Sequence, residues 1–285
     1  MMAMTRTADD RLAHPTLPEE TRSGGGLMTG VTNLLYVILP LVALGVAWEL
    51  LARLSGMPAA LLPPVSDILA AIVKLAADGF LWTDIAGTIT RLFKSVIVGI
   101  VIGTAIGVMM GYFKMWERVL SAPVNFLLAI PGTALFPLSM IWFGLTEAAI
   151  TSILMYEVAL TVVLNTWSGV KAVDNSMIRA GKAFGATGLS LFWRVLIPAA
   201  LPSIIAGYRL AFSRCWRILI VAEMLVSVTS GLGYRIYWGR EFFHSEVVYA
   251  GLLVVGLVGL LIERVFLRTL EIMTVERWGT VRELS

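Results

Sequence analysis

Charge, histidine and cysteine are scarce in this sequence. Only 14% of its 285 residues are charged, against about 25% in an ordinary soluble domain. The histidines are two, His14 and His244, and Cys215 is the single cysteine. An internal disulfide, a metal-ligand cluster and a Cys/His nucleophile pair are therefore excluded. The Walker pattern G-x-x-x-x-G-K-[ST] does not occur, nor do H-E-x-x-H and G-x-S-x-G. Gly231-Leu232-Gly233 lacks the third glycine of a dinucleotide fingerprint and follows no strand, so it reads as a turn. No paired acids and no Ser/His set stand ready for intramembrane catalysis. Neither an enzyme, nor a cofactor, nor a metal is expected. The net charge of +3 is too small and too dispersed for nucleic acid. A cleavable-signal pattern is missing as well, so the first apolar span reads as an uncleaved anchor.

What is abundant is apolar: 58% of the residues, with a mean hydropathy of +0.84. This is the composition of an all-α integral membrane protein embedded in lipid. Six transmembrane helices are expected, at about 33–52, 85–112, 119–142, 148–168, 204–226 and 247–268. The polar residues 1–32, with Asp9, Asp10, Glu19, Glu20 and three consecutive glycines, read as a disordered cytoplasmic tail. Residues 269–285 read as a second cytoplasmic tail, which leaves 33–268 as the membrane domain. With the N-terminus inside, thirteen Lys and Arg fall on inner segments against four on outer ones. That asymmetry puts both termini and the loop 170–202 in the cytoplasm of a multi-pass plasma-membrane protein.

Three local patterns carry further expectations. Leu61-Leu62-Pro63-Pro64 breaks the chain, and Ser66 or Asp67 can cap a short helix after it. Gly99, Gly103, Gly107 and Gly111 recur every four residues and form one groove for close helix packing. Pro123, Pro131 and Pro137 are each expected to bend the third span, as kinked pathway-lining helices and purely structural ones both do.

The fifth span is unusual for its charge: Arg209, Arg214, Arg217 and Glu223, with Glu157 in the fourth. A charge at a helix centre costs about 2.5–3.5 kcal/mol on insertion scales. Arg209 can snorkel to the cytoplasmic end. Arg214 and Arg217 share a face, and Glu157 is a candidate cross-helix partner. These four residues, Glu157, Arg214, Arg217 and Glu223, either line a translocation pathway for a small anion or form a buried ion-pair network.

The most informative segment is the polar interlude Val170–Pro202. Asp174 can cap a helix running to Phe184, with Met177, Ile178 and Phe184 as apolar anchors. Gly185 and Gly188 permit a sharp reversal. Leu189–Leu196 then returns toward the bundle, and Pro198 is expected to end that stretch. Such an element suits a partner's grip, or is a plain amphipathic surface loop.

The same residues resemble the signature loop of bacterial ABC-importer permeases, E-A-A-x3-G-x9-I-x-L-P. Arg179-Ala180-Gly181 stands at E-A-A, Gly185 at the glycine, Val195 at the Ile, Ile197 at the Leu and Pro198 at the Pro. Arg replaces the Glu and Gly the second Ala; the spacing is intact. The likeness runs over about 60–280 and includes Ile130–Leu138, Trp142-Phe143-Gly144, Asn165-Thr166-Trp167, Ala222-Glu223-Met224 and Gly231–Tyr234. Together these are similar to the branch that imports nitrate, taurine, alkanesulfonates and related small solutes. The resemblance implies a five-helix core plus one N-terminal helix and a non-catalytic permease that moves a small solute by alternating access. It implies three partners besides membrane lipid: a dimer of ATP-binding-cassette ATPases, an extracytoplasmic solute-binding protein and a second permease chain in a homodimer. It assigns ATPase coupling to Asp174, Arg179, Ala180, Gly181, Lys182, Ala183, Phe184, Gly185, Ala186 and Pro198. A self-sufficient secondary carrier or channel is the alternative, although no inverted repeat relates the halves and the loop would then lack a task.

Overall fold

The computed structural model describes residues 26–226 and 229–264. Both expected tails lie outside them, save that the first helix, α1 (Gly26–Leu54), begins inside the segment expected to be tail. The chain divides into two units, Met1–Trp48 and Glu49–Ser285. Most of α1 belongs to the first; the second unit holds the rest of the fold.

All described elements are helical. α2 (Val65–Ala77) precedes the long α3 (Phe80–Tyr112), followed by α4 (Lys114–Ala129), a 3-10 turn (Gly132–Leu135), α5 (Phe136–Phe143) and α6 (Glu147–Lys171). α7 (Asn175–Ala183), α8 (Gly188–Leu225), α9 (Leu232–Glu241) and α10 (Ser245–Ile262) complete it. Among the described residues, α3, α6, α8 and α10 are long and apolar enough to cross a membrane. α4 with α5 makes a fifth candidate, bent by 85°. The expected first span falls on α1, which is described only in part.

Three expectations are corrected. The third span is a broken one, and only Pro131 breaks it: Pro123 is accommodated inside α4, and Pro137 sits in the first turn of α5, where its missing N–H costs nothing. Pro198 does not end a helix either. A π segment, Phe192–Leu196, widens the turn before it, so that the Ile197 N–H reaches back to the Phe192 carbonyl and α8 runs on through Pro198 to Leu225. Third, α2 starts at Pro64 without a side-chain cap; the Ser66 N–H and hydroxyl both bond Glu49 instead.

The core is the seam between α3, α6 and α8. Lipid is as apolar as leucine, so such helices gain little by hiding from it and are held by close contact and hydrogen bonds. The glycine groove provides the contact. A Cβ at Gly99, Gly103, Gly107 or Gly111 would lie 2.6–2.7 Å from Val158, Ala159, Thr166 or Val170. The pairing rises in register on both helices, so α3 and α6 run parallel. α8 packs antiparallel on a neighbouring face of α6, with Gly169 against Ser203 and Gly207 against Asn165. Leu92, Phe136, Leu154, Val158 and Leu219 fill the centre.

Candidate functional site

The loop joining α6 to α8 carries a capped helix, α7. The Asp174 carboxylate accepts the Ser176 N–H at 2.8 Å and caps α7. That bond holds the carboxyl below the usual aspartate range. Gly185, with φ of +81°, reverses the chain after Phe184. Gly181 sits where α7 crosses α8: a Cβ there would be 2.8 Å from Val195 and 3.0 Å from Leu191, so glycine in place of alanine has a steric reason. Ile178 turns inward onto Val170, Leu196, Ala200 and Ile204. The other two anchors face out, Met177 half-exposed and Phe184 93% exposed, with Leu189 and Trp193 exposed beside them. Arg179, Ala180, Lys182 and Ala183 are exposed, Ala186 and Pro198 half-buried. Lys171 pairs with Glu117, which ties the end of α6 to the start of α4.

A second feature lies within the spans. The break between α4 and α5 opens a cavity of about 250 Å³, lined by Ile130–Thr133, by Tyr156, Glu157 and Thr161 of α6, and by Arg214 and Ile218 of α8. Ile130 and Pro131 are extended. Tyr156 compensates the interrupted ladder by donating its hydroxyl to the Leu127 carbonyl at 2.6 Å. Irregular backbone at membrane depth persists where protein buries it or where it lines a cavity. The Glu157 carboxylate lies on the backbone of Gly132, where a Cβ would come within 2.7 Å of it. Arg214 stands 3.9 Å from Glu157, too far for a hydrogen bond, and its side chain is 46% exposed.

Arg217 and Glu223 are not brought to that cavity. Arg217 lines a separate cleft between α8 and α10, together with Glu263. Glu223 is buried at the far end of α8. It accepts Arg91 Nη1 at 2.7 Å, the Thr88 hydroxyl at 2.9 Å and the Gly233 N–H at 2.9 Å. Thr88 in turn accepts the Leu232 N–H, and Asp84 takes the Gly231 N–H and Arg235. Three successive N–H groups at the start of α9 are thus satisfied, two of them by carboxylates at the positive end of the helix. Gly231, at φ of +144°, leaves room for nothing else: a Cβ would stand 2.6 Å from Glu223. Arg91 also holds Glu147 at the start of α6, at 2.9 Å. A buried ion-pair network was one of the two expectations for Glu223, but its partners were not foreseen, although their spacing held a signal: Asp84, Thr88 and Arg91 are i, i+4 and i+7 on the face that continues into the glycine groove.

A family model for the "binding-protein-dependent transport system inner membrane component" matches residues 95–268. The taurine transport system permease protein of Escherichia coli (strain K12) is 30% identical over 228 residues, 78% of this chain and 82% of that protein. The putative aliphatic sulfonates transport permease protein of the same strain is 31% identical over 234 residues, 80% of this chain and 89% of its own length. Among solved structures, an inward-facing form of the MetNI methionine ABC transporter superposes with a TM-score of 0.57 at 21% identity, over 67% of this chain and 96% of that one.

Proposed function

The chain belongs to the family of binding-protein-dependent transport system inner membrane components, and we propose that it passes a small sulfonate-type solute through the cavity at its broken span, driven by an ATPase seated on α7. As the permease of an ABC importer it is a non-catalytic, multi-pass inner-membrane subunit that works with an ATPase and a binding protein. α1 adds a sixth span to the five, both termini face the cytoplasm, and two copies of the chain pair in the membrane. Asp174, Arg179–Ala186 and Pro198 form the coupling element, and Glu157 and Arg214 line the pathway. The solute class is that of the two transport relatives, named for taurine and aliphatic sulfonates.

The observation that carries the reading is Phe184. A side chain of this size, 93% exposed at the tip of a capped helix in a polar loop, is an anchor lacking its pocket. α7 is joined to α6 and α8, the two helices that hold Glu157 and Arg214, through Ile178 and Gly181. A partner that grips α7 differently in its two nucleotide states can therefore shift the cavity between two arrangements, and without such differential contact nothing would couple.

The test is co-purification. With Phe184→Ala, the chain stays in the membrane, recovery of the ATPase with it falls at least tenfold, and ATP-dependent uptake falls in step. Full recovery of the ATPase with unchanged uptake would refute the coupling role of α7.

A further inference from the structure

Resting on the pathway reading above, we infer that the solute is a zwitterion, carrying an ammonium as well as an anionic group, rather than a simple anion. Arg214 is the cavity's cation, and Glu157 stands in the same wall 3.9 Å away. The second arginine of the helix, Arg217, is in another cleft opposite Glu263. The cavity is therefore close to neutral, with its two charges side by side. A bare anion that reaches the guanidinium must also lie against the carboxylate, and like charges in a partly desolvated space repel strongly. A solute with opposite charges at its two ends can lie antiparallel to the pair, its anionic end on Arg214 and its ammonium on Glu157, so that every charge meets its opposite.

The pair's geometry suits that exchange. At 3.9 Å its members touch without a hydrogen bond, whereas a committed charge-assisted bond lies at about 2.7–2.9 Å. Arg214 is half-exposed, and the Glu157 side chain is 17% exposed, so both can be reached from the cavity. The carboxylate fills the space left by the missing side chain of Gly132. The cavity's 250 Å³ is below the roughly 300–1,000 Å³ of drug-sized ligand sites and fits a solute of a few heavy atoms. Tyr156, Ile130 and Ile218 line its remainder and accept a short hydrocarbon link between the charged ends.

The experiment uses the permease–ATPase complex in lipid nanodiscs, without the binding protein, so that only the membrane subunit discriminates. The probes are radiolabelled taurine and ethanesulfonate, which share a skeleton and differ by the amine. Equilibrium dialysis with solute in large excess is expected to show taurine bound at least tenfold more tightly. Glu157→Gln should erase that difference, weakening taurine and strengthening ethanesulfonate; Glu157→Asp, which keeps the charge, should retain the preference. Arg214→Gln should weaken both solutes. Equal binding of the two by the native complex, or a preference unchanged by Glu157→Gln, would overturn the zwitterion while leaving the pathway intact if Arg214→Gln still weakens both. If neither solute binds, or if neither substitution alters binding, the pathway reading falls and the zwitterion with it.

Discussion

Two of the Arg–Glu pairs among the described helices are made differently. Arg91 and Glu223 are 2.7 Å apart, with side chains 3% and 0% exposed, and each is bonded further, to Glu147, the Ser230 carbonyl, Thr88 and the Gly233 N–H. Arg214 and Glu157 are 3.9 Å apart beside a cavity, without a mutual hydrogen bond. Taking a charge out of water is costly, and a buried pair is tolerable only when its remaining donors and acceptors are met. The first pair comes close to that condition, with the Arg91 Nε its one unmet donor, and so fixes α3, α6, α8 and the start of α9 in one arrangement. The second pair does not close on itself, which leaves its charges available. Charge within a span is thus no guide to a pathway; the degree to which the charge is already satisfied is.

The largest expected effect tests the closed pair. Arg91→Met leaves Glu223 buried among donors that cannot replace a guanidinium, and removing one partner of a buried pair costs about 3–5 kcal/mol. Thermal unfolding in detergent should show a loss of that size, with little assembled protein in the membrane. Arg214→Gln should change the same unfolding by less than about 1 kcal/mol, since accessible pairs contribute roughly 0–1 kcal/mol. Equal losses in the two variants would dissolve the contrast.

Next in size is the close packing of α3 on α6. At Gly103 a Cβ would be 2.6 Å from the Ala159 carbonyl oxygen, and backbone cannot step aside. Gly103→Leu should therefore force α3 away from α6 at a cost of at least about 1–3 kcal/mol, the range for overpacking. Gly256 on α10 has nothing within 4 Å of its Cβ position, so Gly256→Ala is the control and should stay within about 0.5 kcal/mol. A Gly103→Leu variant as stable as the control would show that the glycine groove is not the seam.

The contrast between the regions also explains what could be read from sequence. The glycine groove and the capped helix α7 were legible because each is a local repeat or a local cap: four glycines in register, and Asp174 two residues before the N–H it accepts. The spans on α3, α6, α8 and α10 were legible from hydropathy, whereas the break in the third was not, because it depends on a proline's position. Pro123, Pro131 and Pro137 look alike in sequence, and only the position of each relative to a helix start decides whether its missing N–H is felt. Pro198 shows the same dependence, because a π turn upstream absorbs it. The partner of Glu223 was not legible, since Arg91 lies 132 residues away and the register between α3 and α8 is set by the whole bundle. The polar spacing of Asp84, Thr88 and Arg91 announced a buried face without naming what it meets. Arg214 and Arg217 share a helix face in projection, yet the bend at Pro131 opens a cavity beside one and not the other.

The smallest expected effect concerns the exposed end of the molecule, where one carboxylate does a job unlike those of Glu223 and Glu157. Asp174 caps α7 from the surface, and the Ser176 N–H holds its carboxyl below the usual aspartate range. A carboxylate whose folded pKa is lowered contributes stability above its unfolded value, about 3.9, and loses it only as pH falls through the lowered one. Across about pH 5 to 8 the cap is therefore constant, and so should be the Ser176 amide shift and the coupling of ATP hydrolysis to uptake. Asp174→Asn keeps an oxygen acceptor of equal capping strength and removes the titration, so its coupling should match the native chain throughout that window. A native profile that drops toward the acid side while the Asn variant stays flat would mean that the Asp174 proton is taken up in the working range. The α7 cap would then be a titrating switch and not, as the Ser176 bond indicates, a fixed end to the helix.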